Sequence, residues 1–152
     1  MKYRYIGKTD TKISEIGFGA WAIGGSKKNS LSYGKTNDRK SLEALNIAYD
    51  EGVNFYDTSN IYGLGHSENL IGKAFKNKRS KVVLATKFGM ANFQKHIEFS
   101  EESISNSLKE SLKRLQTDYV DILQIHNIDL NTLKRNPVIF EALEKFKKSG
   151  SI

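Results

Sequence analysis

The period of the apolar positions changes several times along the chain, and each change marks an element. Residues 3–6 and 12–16 flank Gly7-Lys8-Thr9-Asp10, which predicts a short hairpin. Ile16-Gly17-Phe18-Gly19-Ala20 reads as a short strand of small residues, followed by a loop rich in Gly, Ser, Lys and Asn through residue 35. From Asn37 or Asp38, Leu42, Leu45, Ala48 and Tyr49 recur at helical spacing, and Gly52 is a natural stop. Residues 53–57 (VNFYD) form a strand, and 58–66 a polar, Gly-rich loop. The cycle then repeats. A helix from about Ser67, its candidate cap, presents Leu70, Ile71, Ala74 and Phe75 on one face. Residues 81–87 (KVVLATK) read as a buried strand and 88–99 as a loop. Ser100 can cap a helix carrying Ile104, Leu108, Leu112 and Leu115. Residues 119–126 (YVDILQIH) are the next strand, and Asn136-Pro137 has the chemistry of a helix start. Ile139, Ala142, Leu143 and Phe146 form the inner face of that last helix, closed by Gly150.

The order is thus a hairpin followed by four βα units. Parallel strands need crossovers and helices make them, so the alternation predicts a parallel sheet. Two architectures remain open on periodicity alone. An open, doubly wound sheet fits 152 residues, whereas a whole (β/α)8 barrel takes about 250.

Composition narrows the classes. The chain is 38% hydrophobic and 27% charged, which is globular rather than disordered. No apolar run approaches the ~18 residues of a membrane span, and the N-terminus has no apolar signal core. With no Cys, thiolate chemistry and disulfides are excluded, and the cytoplasm is the expected compartment. The net charge of +7 comes from 19 Lys against 5 Arg, scattered rather than gathered on one face. The densest run, residues 76–81, reads as a solvated loop with no aromatic interleaving, so neither nucleic acid nor a membrane is an expected partner.

The chemistry lies where strands end. Asp57 closes the second strand and Tyr62 follows in its loop; Lys87 closes the third strand and His126 the fourth. In parallel α/β folds the carboxyl ends of the strands share one face and carry the site. A phenol, with a reference pKa of about 10, is a reluctant acid near neutrality, and an ammonium beside it favours the phenolate. A buried Lys needs a counter-charge, which Asp57 can supply. An imidazole can orient a carbonyl oxygen. Together they make a proton donor aimed at a developing alkoxide, and the hydride must come from a cofactor.

The stretches YRYIGKTDTKISEIGFGAWAIGG, GVNFYDTSNIYGLGHSENLIGKAF, VVLATKFG and SLKRLQTDYVDILQIHN, in this order and spacing, resemble the aldo-keto reductases, bacterial enzymes and potassium-channel β subunits alike. The resemblance runs from residue 2 to residue 152. It implies the N-terminal half of a (β/α)8 TIM barrel, a hairpin plus four βα units, with the hairpin plugging the bottom. It implies NADPH as cofactor, with NADH as the alternative, and a small-molecule carbonyl substrate. The family tetrad falls on Asp57, Tyr62, Lys87 and His126, with Tyr62 as general acid, Lys87 and Asp57 tuning it, and His126 orienting the substrate. Gly19, Ala20, Trp21 and Asp57 match positions near the nicotinamide and its ribose, and Trp21 also matches a position lining the substrate pocket. Asp10 stands where the family commonly has Gly, and Ile128 where it often has Pro. Residues 147–152 match the junction into a fifth strand, so strands five to eight and most of the cofactor cradle are expected outside this segment. The expected partner is then a second copy or a C-terminal half, with weak NADPH binding by the segment alone.

Other chemistries fail on spacing. Glu68 stands where a Rossmann fingerprint needs its third Gly, and there is no GxxxxGK[ST] and no GxSxG. His66, His96 and His126 are too far apart in sequence for a local metal motif, so no metal site is expected. Two functional classes stand: a carbonyl-reducing oxidoreductase, or a non-catalytic remnant or regulatory half-barrel.

Overall fold

The computed structural model describes residues 1–26 and 33–152; the centre of the loop expected through residue 35 lies outside the described residues. Strands β1 (Tyr3–Tyr5) and β2 (Lys12–Ser14) form the antiparallel hairpin. Four parallel strands follow: β3 (Phe18–Gly19), β4 (Phe55–Asp57), β5 (Val83–Phe88) and, after a further small hairpin, β8 (Ile122–Ile125). Their order in the sheet is β3-β4-β5-β8, which is chain order. The register runs Gly19 to Asp57, Asp57 to Ala85 and Ala85 to Ile122. A doubly wound sheet reverses its strand order at a switch point; this one does not, so the choice left open by periodicity falls to the half barrel.

The helices lie where the apolar stripes put them. Helix α1 (Asp38–Asp50) is capped by Asn37, whose Oδ1 accepts the Lys40 N–H at 3.1 Å. Helix α3 (Glu101–Leu115) is capped by Ser100, whose Oγ accepts the Ser103 N–H at 3.2 Å. Acids in the first turn of α3 and bases in its last complement the helix dipole. Helix α2 (His66–Phe75) packs against α1 on one side and α3 on the other, and α3 packs against the last helix, α5 (Val138–Ser149). The main core joins Leu45, Tyr56, Leu70, Ile71, Phe75, Leu84, Leu108 and Leu115. The Tyr56 phenol is fully buried, donates to the Val53 carbonyl at 3.1 Å, and has its pKa driven up by that burial.

Four readings need correction. Residues 88–99 are not simply a loop: β6 (Met90–Asn92) and β7 (Lys95–His96) form a second hairpin. A short helix, α4 (Leu130–Arg135), precedes the last one, capped by Asp129, whose Oδ1 accepts the N–H of Asn131 and Thr132 at 2.9 Å. Asn136 therefore ends α4 rather than capping α5: its amide donates back to the Thr132 carbonyl at 2.7 Å, and Pro137 enters α5 without a side-chain cap. Ser67 likewise sits inside α2 and caps nothing, the turn being entered from Gly65 in the left-handed region. Within the basic run, Arg79 is not solvated. Its guanidinium reaches Asp121 at 2.7 Å and the Val82 and Tyr119 carbonyls, tying the edge of β5 to the approach to β8.

The β1–β2 hairpin sits under the N-terminal ends of the parallel strands. Asn54, just before β4, accepts the Ser14 N–H at 2.7 Å, and its own N–H goes to Ser14 Oγ at 3.1 Å. The Asn54 amide also donates to the Lys12 carbonyl at 3.0 Å. Asn54→Ala leaves the buried Ser14 N–H without its acceptor. The expected loss is ~1–3 kcal/mol in urea unfolding, and a variant as stable as the parent would show that the plug is held by other contacts.

Candidate active site

The carboxyl ends of β3, β4, β5 and β8 open on one face, and the strand-end residues meet there. Lys87 points to that face from β5, its side chain only 12% exposed. Its Nζ donates to Asp57 Oδ1 at 2.5 Å and to the Thr58 carbonyl at 2.8 Å. Both acceptors lie at the end of β4, the adjacent strand. Asp57 holds its place through two further contacts. Its carbonyl accepts the Ala20 N–H at 2.8 Å, and its Oδ2 lies 3.4 Å from Gln124 Nε2 of β8.

Tyr62 enters from the loop after β4. The centroid of its ring lies 5.1 Å from Lys87 Nζ and 5.9 Å from the His126 ring, which it meets edge-on. On its other side the Trp21 ring stacks at 6.1 Å. These contacts are made by the ring of Tyr62; among the described residues its hydroxyl makes no hydrogen bond. The loop is held by a close backbone approach. Gly63 has φ +59°, and a Cβ there would fall 2.0 Å from the Gly24 carbonyl oxygen, so only glycine fits.

His126 follows β8. Its Nδ1 lies 3.0 Å from Ser59 Oγ, and its backbone N–H donates to the Phe88 carbonyl at 2.8 Å. Burial pulls the imidazole below its ordinary value of 6.5; the Lys87 ammonium pushes the same way, Asp57 opposes, and His96 adds to the lowering. The ring is therefore neutral near pH 7 and acts as a hydrogen-bonding group rather than a cation.

The cofactor positions singled out in the sequence, Gly19, Ala20, Trp21 and again Asp57, divide. Gly19 is exposed at the end of β3, with nothing within 4 Å of where a Cβ would stand, so the space above it is open. Trp21 sits among aromatic rings: Tyr33 at 4.8 Å and Phe93, from the β6–β7 turn, at 6.3 Å, besides Tyr62. Asp57 is the counter-charge described above. Ala20 is fully buried, with its N–H on Asp57 and its carbonyl on Ser67 Oγ at 2.8 Å, so it shapes the wall and offers no free donor.

Sequence reasoning passed over Ser59, Gln124, Phe93 and the Thr58 carbonyl. Gln124 carried a signal: it stands two residues before His126 on a strand and so shares its face. Among the described residues no group of three His, Asp or Glu is placed to hold a metal, and no helix is long and apolar enough to cross a membrane.

The profile of the aldo/keto reductase family matches residues 15–152. The chain belongs to the aldo/keto reductase family. It is 41% identical over 130 residues to the aldo-keto reductase YhdN of Bacillus subtilis, a match covering 83% of this chain and 38% of that protein. It is 36% identical over 156 residues to L-galactose dehydrogenase of Arabidopsis thaliana, covering 99% of this chain and 46% of the relative. The holo form of aldo-keto reductase AKR11C1 from Bacillus halodurans superposes with a TM-score of 0.83 at 33% identity, over 100% of this chain and 48% of that one. The chain thus spans about half the length of the reductases it matches, or less, and its sheet corresponds to the N-terminal half of their barrel.

The lowered His126 value has a consequence for stability. The unfolded imidazole takes up a proton near 6.5, the folded one only at lower pH. Between the two values the unfolded chain binds more protons, so this group's contribution falls as pH drops below 6.5 and is complete above it. Urea midpoints are expected to decline across that window, and His126→Gln to flatten the decline. An unchanged slope in the variant would show that His126 is not the group responsible.

Proposed function

We propose that this site belongs to an NADPH-dependent oxidoreductase that reduces aldehydes and ketones to alcohols, with NADH as the alternative cofactor. One observation carries the reading. An ammonium compensated by Asp57 lies beside the ring of Tyr62, with a neutral imidazole meeting that ring edge-on.

The residues fit the nicotinamide end of the cofactor. Exposed Gly19, with open space above it, offers bare backbone to a flat ring; Trp21 and Asp57 flank it. Bound there, the nicotinamide supplies the hydride. Lys87 is already paired with Asp57, so the cofactor's phosphates fall to other residues. The sheet edges β3 and β8 are where strands of a C-terminal half, or of a second copy, would pair.

The chain's own groups divide the remaining work. His126, held at Nδ1 by Ser59 Oγ, hydrogen-bonds the carbonyl oxygen in the tautomer that carries its proton on Nε2, fixing the carbonyl's orientation. Tyr62 gives its hydroxyl proton to that oxygen as negative charge develops there. Lys87, 5.1 Å from the ring centroid, stabilises the phenolate left behind. Asp57 holds Lys87 in place and keeps its charge compensated while the site is empty of substrate. Trp21, Tyr33 and Phe93 form an aromatic wall beside the reacting carbon.

The test is NADPH oxidation with a simple aldehyde, followed alongside sedimentation of the polypeptide. Turnover is expected in the associated species, and Tyr62→Phe is expected to lower the rate by about 10²–10⁴-fold. A Tyr62→Phe protein as fast as the parent would overturn the proton-donor role. An associated protein that binds NADPH and reduces nothing would favour the binding half-barrel.

A further inference from the structure

The first turn of α2 carries two buried polar side chains that the proposed chemistry does not use. Ser67 and Glu68 are both 0% exposed. Ser67 Oγ donates to the Ala20 carbonyl at 2.8 Å and accepts the Thr58 hydroxyl at 2.9 Å. Glu68 Oε1 accepts the Thr86 hydroxyl at 2.5 Å, and its Oε2 accepts Arg114 Nε at 2.6 Å. Arg114 comes from the last turn of α3 and also reaches Ser111 Oγ at 3.2 Å. Burying a carboxylate is costly unless it is paired and hydrogen-bonded, and here both oxygens are engaged.

The attachment points form a pattern. Ala20 lies between Gly19 and Trp21. Thr58 follows Asp57, and its carbonyl accepts Lys87 Nζ. Thr86 precedes Lys87. Successive residues of a strand face opposite ways, so Thr86 turns outward to α2 while Lys87 turns inward to the site. Two consecutive helix residues therefore grip the outer side of three strand ends whose inner side carries the proposed site. A hydrophobic contact would hold the helix on the sheet but would not fix the strands' positions along it; directional hydrogen bonds do.

We infer that Glu68 is a positioning residue for Lys87: through the Thr86 hydroxyl, with Arg114 holding its other oxygen, it sets where the β5 end places the Lys87 ammonium relative to Tyr62 and His126. Ser67 does the same for the β4 end through Thr58. The role rests on the proposed reductase site, since it is that site's ammonium that is placed. Its test reads position rather than turnover, so the two fail separately.

His126 serves as the reporter. The groups that face it are Lys87, Asp57, His96, Ser59 and Tyr62, and after burial it is the Lys87 ammonium that lowers its titration most. Thr86→Val keeps the shape of the side chain and removes the hydroxyl; Thr86→Ser keeps the hydroxyl and removes the methyl. The His126 titration is followed by NMR in the 152-residue chain and in both variants, with urea unfolding run in parallel. The expected result is an upward shift of the His126 titration in Thr86→Val, as the ammonium moves away, and a parent-like titration in Thr86→Ser. A parent-like titration in folded Thr86→Val overturns the inference, as does an equal shift in both variants. A Thr86→Val chain that does not fold while Thr86→Ser does would make the link one of stability alone, and overturns it too. Failure of the reductase assay with the expected titrations leaves the placement intact and removes only its purpose.

Discussion

An ammonium group almost out of reach of water must be compensated where it stands, and Lys87 is compensated by a neighbouring strand. Asp57 and the Thr58 carbonyl are both at the end of β4, within 2.8 Å of Nζ. The pair can form only if β4 and β5 lie in parallel and in the observed register, with Asp57 opposite Ala85. It then reaches further. The Asp57 backbone holds β3 through Ala20, and the Asp57 carboxylate approaches Gln124 on β8. One ion pair thus touches all four strands of the sheet at the end where their side chains converge.

The rest of the fold makes that convergence affordable in conformational terms. Apolar stripes on α1, α2 and α3 pack on the outer face of the sheet, and the buried Leu, Ile and Phe side chains there supply the main driving force for folding. Polar ties then fix positions that hydrophobic packing leaves free to slide. Asn54 locks the hairpin beneath β4; Arg79 locks β5 to the approach to β8; Ser67 and Glu68 lock the strand ends to α2. Membership of the aldo/keto reductase family accords with this division, because in such barrels the sites lie at the carboxyl ends of the strands, inside a ring of helices.

The hairpin, the four parallel strands and the long helices were legible because each has a clean period or a clear stop. Leu42, Leu45, Ala48 and Tyr49 mark α1, and Gly52 ends it. The strand-end polar residues were legible only jointly, because one helix and one strand between each pair return the chain to the same face. What escaped was short or distant. Helix α4 has six residues, fewer than the window over which helical period can be seen. The β6–β7 hairpin has no alternation across Met90-Ala91-Asn92 to distinguish it from a loop. Arg79 read as part of a solvated loop, since its partner Asp121 lies 42 residues away, and the pairing of Arg114 with Glu68 spans 46 residues and left no local signal. Ser67 has the chemistry of a cap, but the structure uses its hydroxyl between two strand ends instead.

The dependence on the Lys87–Asp57 pair is measurable directly in a double-mutant cycle with Lys87→Met and Asp57→Asn, read by urea unfolding. Either single change leaves a partner without its counter-charge in a poorly hydrated site, whereas the double change leaves neither. The expected coupling is about 1–3 kcal/mol, with the double variant more stable than the sum of the single losses implies. Losses that simply add would contradict the account, because they would mean that the sheet holds its register without the pair.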